Sequence, residues 1–447
     1  MFDIDKVQNH LLKICDNTEQ SDPIVSTNIG KLWFRKEIFV ELDVDETKDF
    51  YDALEEILKD DFIKRNITEK FLEEKLEGIL SETLKLKEKE RSNFIKNELT
   101  NLKIYFQNEI RDWIFIVPIN NLVVKRIFSV GNVRFYVLNN HRKKKVKNIL
   151  LNNLKNNKNY TENQKEKILK NVQKIYITPL SGSTCAEVKV MGVLDHAQQL
   201  AFHRIRLAIS ALKLYAYPND DFYKRYFGVI GDVIGPTHRV CLRYTVDEKR
   251  FNPSFEKIGY LDHFSLDGDR IKFMKANGFN KLNEILKIPN PNDVERRLLT
   301  SIYWFGEAMS LQVYYSKDQI YGDYRKKHEN LTYFKFSERF IKLFTALECL
   351  LILNNRETIA NNLARRSALL LSKEYKERRI INKKVKELYH KRSDIVHQGE
   401  EFISKSNLAY LTRFVQAAII TLIKIKDRYN LRTQEDLYSY FEKLELS

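Results

Sequence analysis

Proline is missing from the last third of this chain. All eight prolines lie at or before Pro291, and of the 14 glycines only Gly306, Gly322 and Gly399 lie beyond it. A proline costs about 3 kcal/mol inside a helix and a glycine about 1 kcal/mol, so residues 293–447 are expected to form an all-α helical bundle. Cysteine is scarce as well. Cys15, Cys185, Cys241 and Cys349 stand singly, which excludes a disulfide scaffold and leaves no CxxC pair for zinc; four buried, reduced thiols are expected. Long apolar runs are also lacking. Residues 113–119 and 417–423 fall far short of the roughly 20 needed to cross a bilayer, and residues 1–20 mix acids and bases without the apolar core of a secretory signal. The expectation is a cytoplasmic protein with no membrane contact and no cofactor or metal.

What is present is enough apolar material to fold. Apolar residues make up 43% of 447 positions, and a chain about three times the ~150-residue modal domain is expected to divide. The fold class read from the pattern is two-domain: an N-terminal α+β region over 1–288, then the bundle. The double proline at Pro289 and Pro291, followed by the capping residues Asn292 and Asp293, supplies the boundary. Strands are predicted at 32–42, 113–124, 133–138, 174–180 and 186–193, amphipathic helices between residues 54 and 80, and a long helix over 195–217.

The net charge is +16, which favours a polyanionic partner, and it is concentrated in two places. Residues 291–447 carry +8 and residues 141–174 carry +9. The second segment holds 11 Lys or Arg, two Glu and eight Asn. It reads either as a basic arm on nucleic acid or as an exposed helix or loop inserted between strands. The second reading is preferred because Tyr160 is almost its only aromatic residue.

Within the bundle, helices are predicted at 293–311, 337–353, 357–371, 375–398 and 405–425. Near the end of the fourth, Arg392 sits seven residues after Val385, four after Leu388 and three before Ile395, so a regular helix turns it toward the bundle. A guanidinium there needs an anionic partner, and Glu348, beside Leu347 on the second helix, is the nearest by pattern. Such a pair is either a scaffold that sets helix register or part of a site. His397 lies five residues after Arg392, about 140° away around a regular helix. The two meet only if the helix end is irregular, if the long Arg side chain reaches across, or if two subunits combine. An Arg and a His together suit RNA phosphodiester cleavage, the imidazole moving protons near pH 6.5 and the guanidinium holding the phosphate.

Three segments carry a family resemblance: Phe344-Thr345-Ala346-Leu347-Glu348, Leu363-Ala364-Arg365-Arg366-Ser367-Ala368-Leu369-Leu370, and Arg392-Ser393-Asp394-Ile395-Val396-His397-Gln398-Gly399. Over about residues 293–430 the chain resembles a HEPN domain, most closely the ApeA-like HEPN group. The resemblance implies a metal-independent endoribonuclease, with Arg392 on the scissile phosphate and His397 as the acid/base group. Glu348, Ser393 and Asp394 would support them. Ser393 stands where the family often has Asn, Asp or His. The resemblance also implies a homodimer or higher homo-oligomer assembled through this domain, an RNA substrate, and an antiviral, abortive-infection role with a trigger recognised by the N-terminal region. A non-catalytic HEPN module that binds RNA or a partner protein is the alternative.

The remaining constellations read as structural. Gly228, Gly231 and Gly235 with Pro236 and His238 form a turn-rich loop, Asp262, His263, Asp267 and Asp269 a solvated acidic loop, and His196 and His203 lack the spacing and the partners of a zinc site. His390 is expected to face solvent.

Overall fold

The computed structural model describes residues 2–17, 31–32, 40–41, 44–156, 159–180, 182–216, 227–229, 239–245, 247, 249–256, 264–310, 324–354, 358–398 and 403–446. It is mostly helical, with a small antiparallel sheet in the N-terminal half and helices through the C-terminal half. The chain divides into two compact units: residues 1–114 with 189–201 and 245–247, and the remainder.

The first unit is helical. It contains α1 (Ile4–Asn17), a two-residue pairing of β1 (Lys31–Leu32) with β2 (Val40–Glu41), α2 (Val44–Leu58), α3 (Asp61–Asn66), α4 (Glu69–Leu84) and α5 (Glu88–Glu109). Local chemistry sets the helix starts. The Asp60 carboxylate accepts from the backbone N–H groups of Phe62 and Ile63, and the Thr68 hydroxyl accepts from Phe71. The apolar stripes then meet: Val7, Leu11, Leu54, Ile57, Leu72, Leu76, Ile95, Leu99 and Phe106 are all buried in one core. This confirms the amphipathic helices expected between 54 and 80.

The sheet follows. Its strands are β3 (Arg111–Asn120), β5 (Phe128–Val130), β6 (Val133–Val137), β7 (Thr184–Gly192), β9 (Arg239–Thr245) and β10 (Phe251–Glu256), in the order β10-β9-β3-β7-β6-β5. The short strand β8 (Gly228–Val229) pairs with β3, while β4 (Leu122–Val124) pairs in parallel with β11 (Phe264–Leu266). Between β6 and β7 the basic insertion folds as α6 (Asn140–Asn156) and α7 (Glu162–Val172). Val146, Ile149, Leu150, Leu154 and Val172 are buried, so this segment is a packed helical insertion.

The strand expected at 174–180 is not formed. Residues Gln173–Ile177 continue the helix with wide i→i+5 turns and Thr178–Leu180 close it with a tighter one. The β-branched pattern is overridden because Ile177 and Leu180 are buried while Ile175 stays exposed, and the Thr178 hydroxyl donates to the Gln173 carbonyl at 2.8 Å, which suits a helical turn. Helix α8 (Leu194–Leu214) matches the long helix expected over 195–217. Helices α9 (Gly268–Ala276) and α10 (Phe279–Ile285) lead to the prolines, so the expected boundary at Pro289 and Pro291 is a loop inside the second unit.

The C-terminal helices are α11 (Asp293–Ser310), α12 (Tyr324–Leu351), α13 (Ile359–Leu371), α14 (Tyr375–Gln398), α15 (Lys405–Ile425) and α16 (Gln434–Glu445). Helix α11 packs on α12, α13 on α14, and α12 on α15. Gly306 has a steric role, since a Cβ there would overlap Ser210 of α8. Residues 406–425 of α15 are long and apolar enough to cross a bilayer, yet more than half of that stretch is buried, with Leu408, Leu411, Val415, Ile419 and Leu422 inside the protein. That burial is what a bundle's central helix requires.

Candidate functional site

Helix α14 is anchored before it reaches the predicted site. The Ser372 hydroxyl accepts from the Glu374 N–H at 3.0 Å and donates to Glu377 Oε2 at 2.6 Å, which caps the first turn. Val385 and Leu388 are fully buried, and this stripe brings Arg392 round to α12. Arg392 Nε lies 3.7 Å from Glu348 Oε1, each side chain about one-fifth exposed at 22% and 21%. This is the partner that helical spacing predicts. The separation is too long for a hydrogen bond, so the contact is a charge pair held by its surroundings.

Tyr389 supplies those surroundings. Its ring packs edge-on against Phe344 at 5.5 Å, and the Arg392 guanidinium carbon lies 5.6 Å from the ring centre. Its hydroxyl and the Glu348 carboxylate are close enough to influence each other's ionisation. Burial holds Glu348 above the usual carboxylate range, against the opposing pull of Arg392 and the Tyr389 hydroxyl. Burial also raises the Tyr389 phenol, with the Glu348 charge adding to it. Arg297 braces the other side of α12, donating to the Cys349 and Ile352 carbonyls at 3.0 and 2.7 Å and to Gln434 of α16 at 2.8 Å.

His397 is placed differently. It is exposed on the last turn of α14, between the exposed residues Val396 and Gln398. Five residues of regular helix set it about 7.5 Å further along the axis and about 140° around. Among the described residues no hydrogen bond or ion pair joins it to Arg392, Ser393 or Asp394. Ser393 and Asp394 are half-buried beside Arg392. A single chain thus assembles Arg392, Glu348 and Tyr389 and turns His397 outward. Tyr389 carried no role in the sequence reading, although its place one turn before Arg392 was a legible signal.

The other sequence candidates find structural employment. His390 is exposed, as expected. His196 engages the Arg65 carbonyl at 3.1 Å and His203 packs against the Tyr303 ring at 6.1 Å. Asp267 caps α9 by accepting from the Arg270 N–H at 2.8 Å, and Asp269 is exposed in its first turn; Asp262 and His263 lie outside the described residues. So do Gly231, Gly235, Pro236 and His238, whereas Gly228 opens β8.

Cys15 and Cys185 are buried, their thiols pushed up to about 11 and about 12 by burial. The expectation of four buried thiols is corrected at Cys349, which is half-buried; the Cys241 side chain lies outside the described residues. One donor group was missed altogether. His10, Asp49 and Asp52 bring ligand-type atoms within 4.8 Å of one another, but Asp49 already pairs with His10 at 2.9 Å and Lys13 at 3.5 Å.

Compared with family profiles, with curated proteins and with solved structures, the chain matches none of them.

Proposed function

We propose that the chain is an endoribonuclease of the HEPN type, cleaving RNA through the 2′-hydroxyl without metal, as an effector in prokaryotic anti-phage defence. Arg392 binds the scissile phosphate and stabilises the charge that develops on it; His397 transfers protons to and from the reacting oxygens. Because His397 faces away from Arg392 within one chain, the active species is a homodimer or larger homo-oligomer in which one copy's His397 completes the site of another. The observation that carries this reading is the partly exposed Arg392, turned onto the bundle face and oriented by Glu348 at 3.7 Å.

That same pair favours one alternative, a non-catalytic HEPN module in which Arg392 and Glu348 only fix the register of α14 on α12. Incubating purified protein with total RNA separates the two. The nuclease gives chelator-resistant cleavage leaving 2′,3′-cyclic phosphate ends. Arg392→Ala and His397→Ala each abolish it while thermal melts stay cooperative. Cleavage that survives in both variants removes the assignment, and a melt that collapses for Arg392→Ala alone, with no cleavage by the native chain, selects the scaffold.

A further inference from the structure

The opposite end of α14 carries a second basic site, and the proposed reaction does not use it. An open groove of about 720 Å³ lies along α13 and the first turns of α14, bounded by Glu445 of α16. Five of the side chains lining it are basic, Arg365, Lys376, Arg378, Arg379 and Lys383. Two of these are committed to its walls. Arg365 pairs with Glu445 at 2.9 Å, while Arg378 donates to the Ser372 carbonyl at 2.9 Å and the Leu444 carbonyl at 3.3 Å. These bonds tie α16 to the helix pair and neutralise the lining carboxylate. The other three are exposed and make no ion pair among the described residues.

Lys376, Arg379 and Lys383 follow at intervals of three and four, so they share one helix face, about 4.5 and 6 Å apart along the axis. Tyr375 stands beside them with 72% of its surface exposed. An unpaired row of cations next to a solvated aromatic ring in a concave wall matches single-stranded nucleic acid. The cations follow the phosphates, and the ring takes a base that a duplex would keep stacked. We propose that this groove holds single-stranded RNA, with Lys376, Arg379 and Lys383 on the backbone and Tyr375 against a base. The choice of RNA rests on the functional reading above; the polyanion follows from the groove itself. Arg379 and Arg392 are about 20 Å apart along α14 and about 140° apart around it, so a strand seated here reaches the cleavage site only by winding around the helix, and substrates of a few nucleotides gain nothing from it.

The test is fluorescence anisotropy of the full chain with a labelled 12-nucleotide 2′-O-methyl RNA, which cannot be cleaved through its 2′ position, measured across a salt series. The triple variant Lys376→Gln, Arg379→Gln, Lys383→Gln is expected to weaken binding at least tenfold at low salt and to flatten the log-log salt slope by about 2, at ~0.7 for each phosphate no longer neutralised. Tyr375→Ala is expected to weaken binding about tenfold with an unchanged slope. The control removes the same charge from α6 through Lys144→Gln, Lys145→Gln, Lys155→Gln, all exposed, and should change affinity less than twofold.

Equal losses from both triple variants, no loss from the α14 variant, or tighter binding of an acidic peptide or of anionic vesicles than of the RNA would overturn the proposal. Binding that behaves as expected in a chain that never cleaves RNA keeps the groove and removes the nuclease. Cleavage of long RNA unaffected by the α14 variant, with unchanged binding, does the reverse.

Discussion

Two stretches of this chain look alike as charge and differ as surfaces. The insertion at 141–174 is the more basic in sequence, and three of its 11 Lys and Arg are engaged nearby. Lys165 and Lys170 pair along α7 with Glu162 and Glu166, both at 2.9 Å, and Arg142 lies flat on the Tyr136 ring at 3.6 Å and 4.0 Å from Glu187. Helix α14 has eight basic and three acidic residues, and three of its cations stand unpaired in a groove. Surface pairs of the α7 kind contribute little stability, but they do remove charge that a ligand could use. Charge density in sequence is therefore a poor guide to a binding face; what separates the two regions is whether a concave wall gathers free charges beside an aromatic ring.

The sharpest way to break this comparison is activity. His397→Ala should lower RNA cleavage about a thousandfold, within the range of a lost general acid/base, while the α6 triple variant changes the rate less than twofold, measured on a labelled RNA. Next comes packing. Leu388 is fully buried in the stripe that carries Arg392, so Leu388→Ala should cost about 3 kcal/mol in denaturant unfolding, whereas Leu154→Ala near the end of α6, 8% exposed, should cost about 2 kcal/mol or less. Smaller again, the α7 capping box is formed by Thr161 and Gln164, and Thr161→Ala should cost about 1 kcal/mol. Hydrogen exchange should speed up in α7 and not in α14.

The smallest effect is a pH dependence. Glu348 is held above its ordinary value in the fold, so its contribution is fully present below the unfolded value, near pH 4.5, and is lost as pH rises through the folded one. Relative to Glu348→Gln, the native chain should gain stability as the pH falls from 7.5 toward 4.5, read from paired thermal melts.

Much of the helical half was legible. Helix α14 spans Tyr375–Gln398 and α15 spans Lys405–Ile425, as the periodicity indicates, because strong apolar stripes end at polar, turn-forming residues. In the case of α15 the Ser404 hydroxyl caps the start by accepting from the Asn407 N–H at 3.2 Å. The Arg392–Glu348 pair was legible for the same reason, since a cation on a buried stripe demands a carboxylate. Helix α16 went unread although Thr433 and Asp436 form a capping box; its apolar stripe is short, with Leu437 and Phe441 buried. The strands of the sheet's far edge, β9 and β10, were missed because local patterning does not register a pairing with a neighbour distant in sequence. Residues 174–180 failed in the opposite sense: β-branched residues suggested a strand, and burial of Ile177 and Leu180 after α7 kept the chain helical.

By itself, the sequence determined where helices can run, through the absence of proline after Pro291 and the 3.6-residue spacing of apolar side chains, and it determined that Arg392 must find a partner. The tertiary structure decided what spacing cannot express. Tyr389 joins the pair, His397 is turned out to solvent, and three of the chain's 76 basic residues are left unpaired along a wall that α13, α14 and α16 make together. The physical reason is range: backbone preference and periodicity act over a few residues, whereas a charge is left free or neutralised by groups that only packing brings within a few ångströms of it.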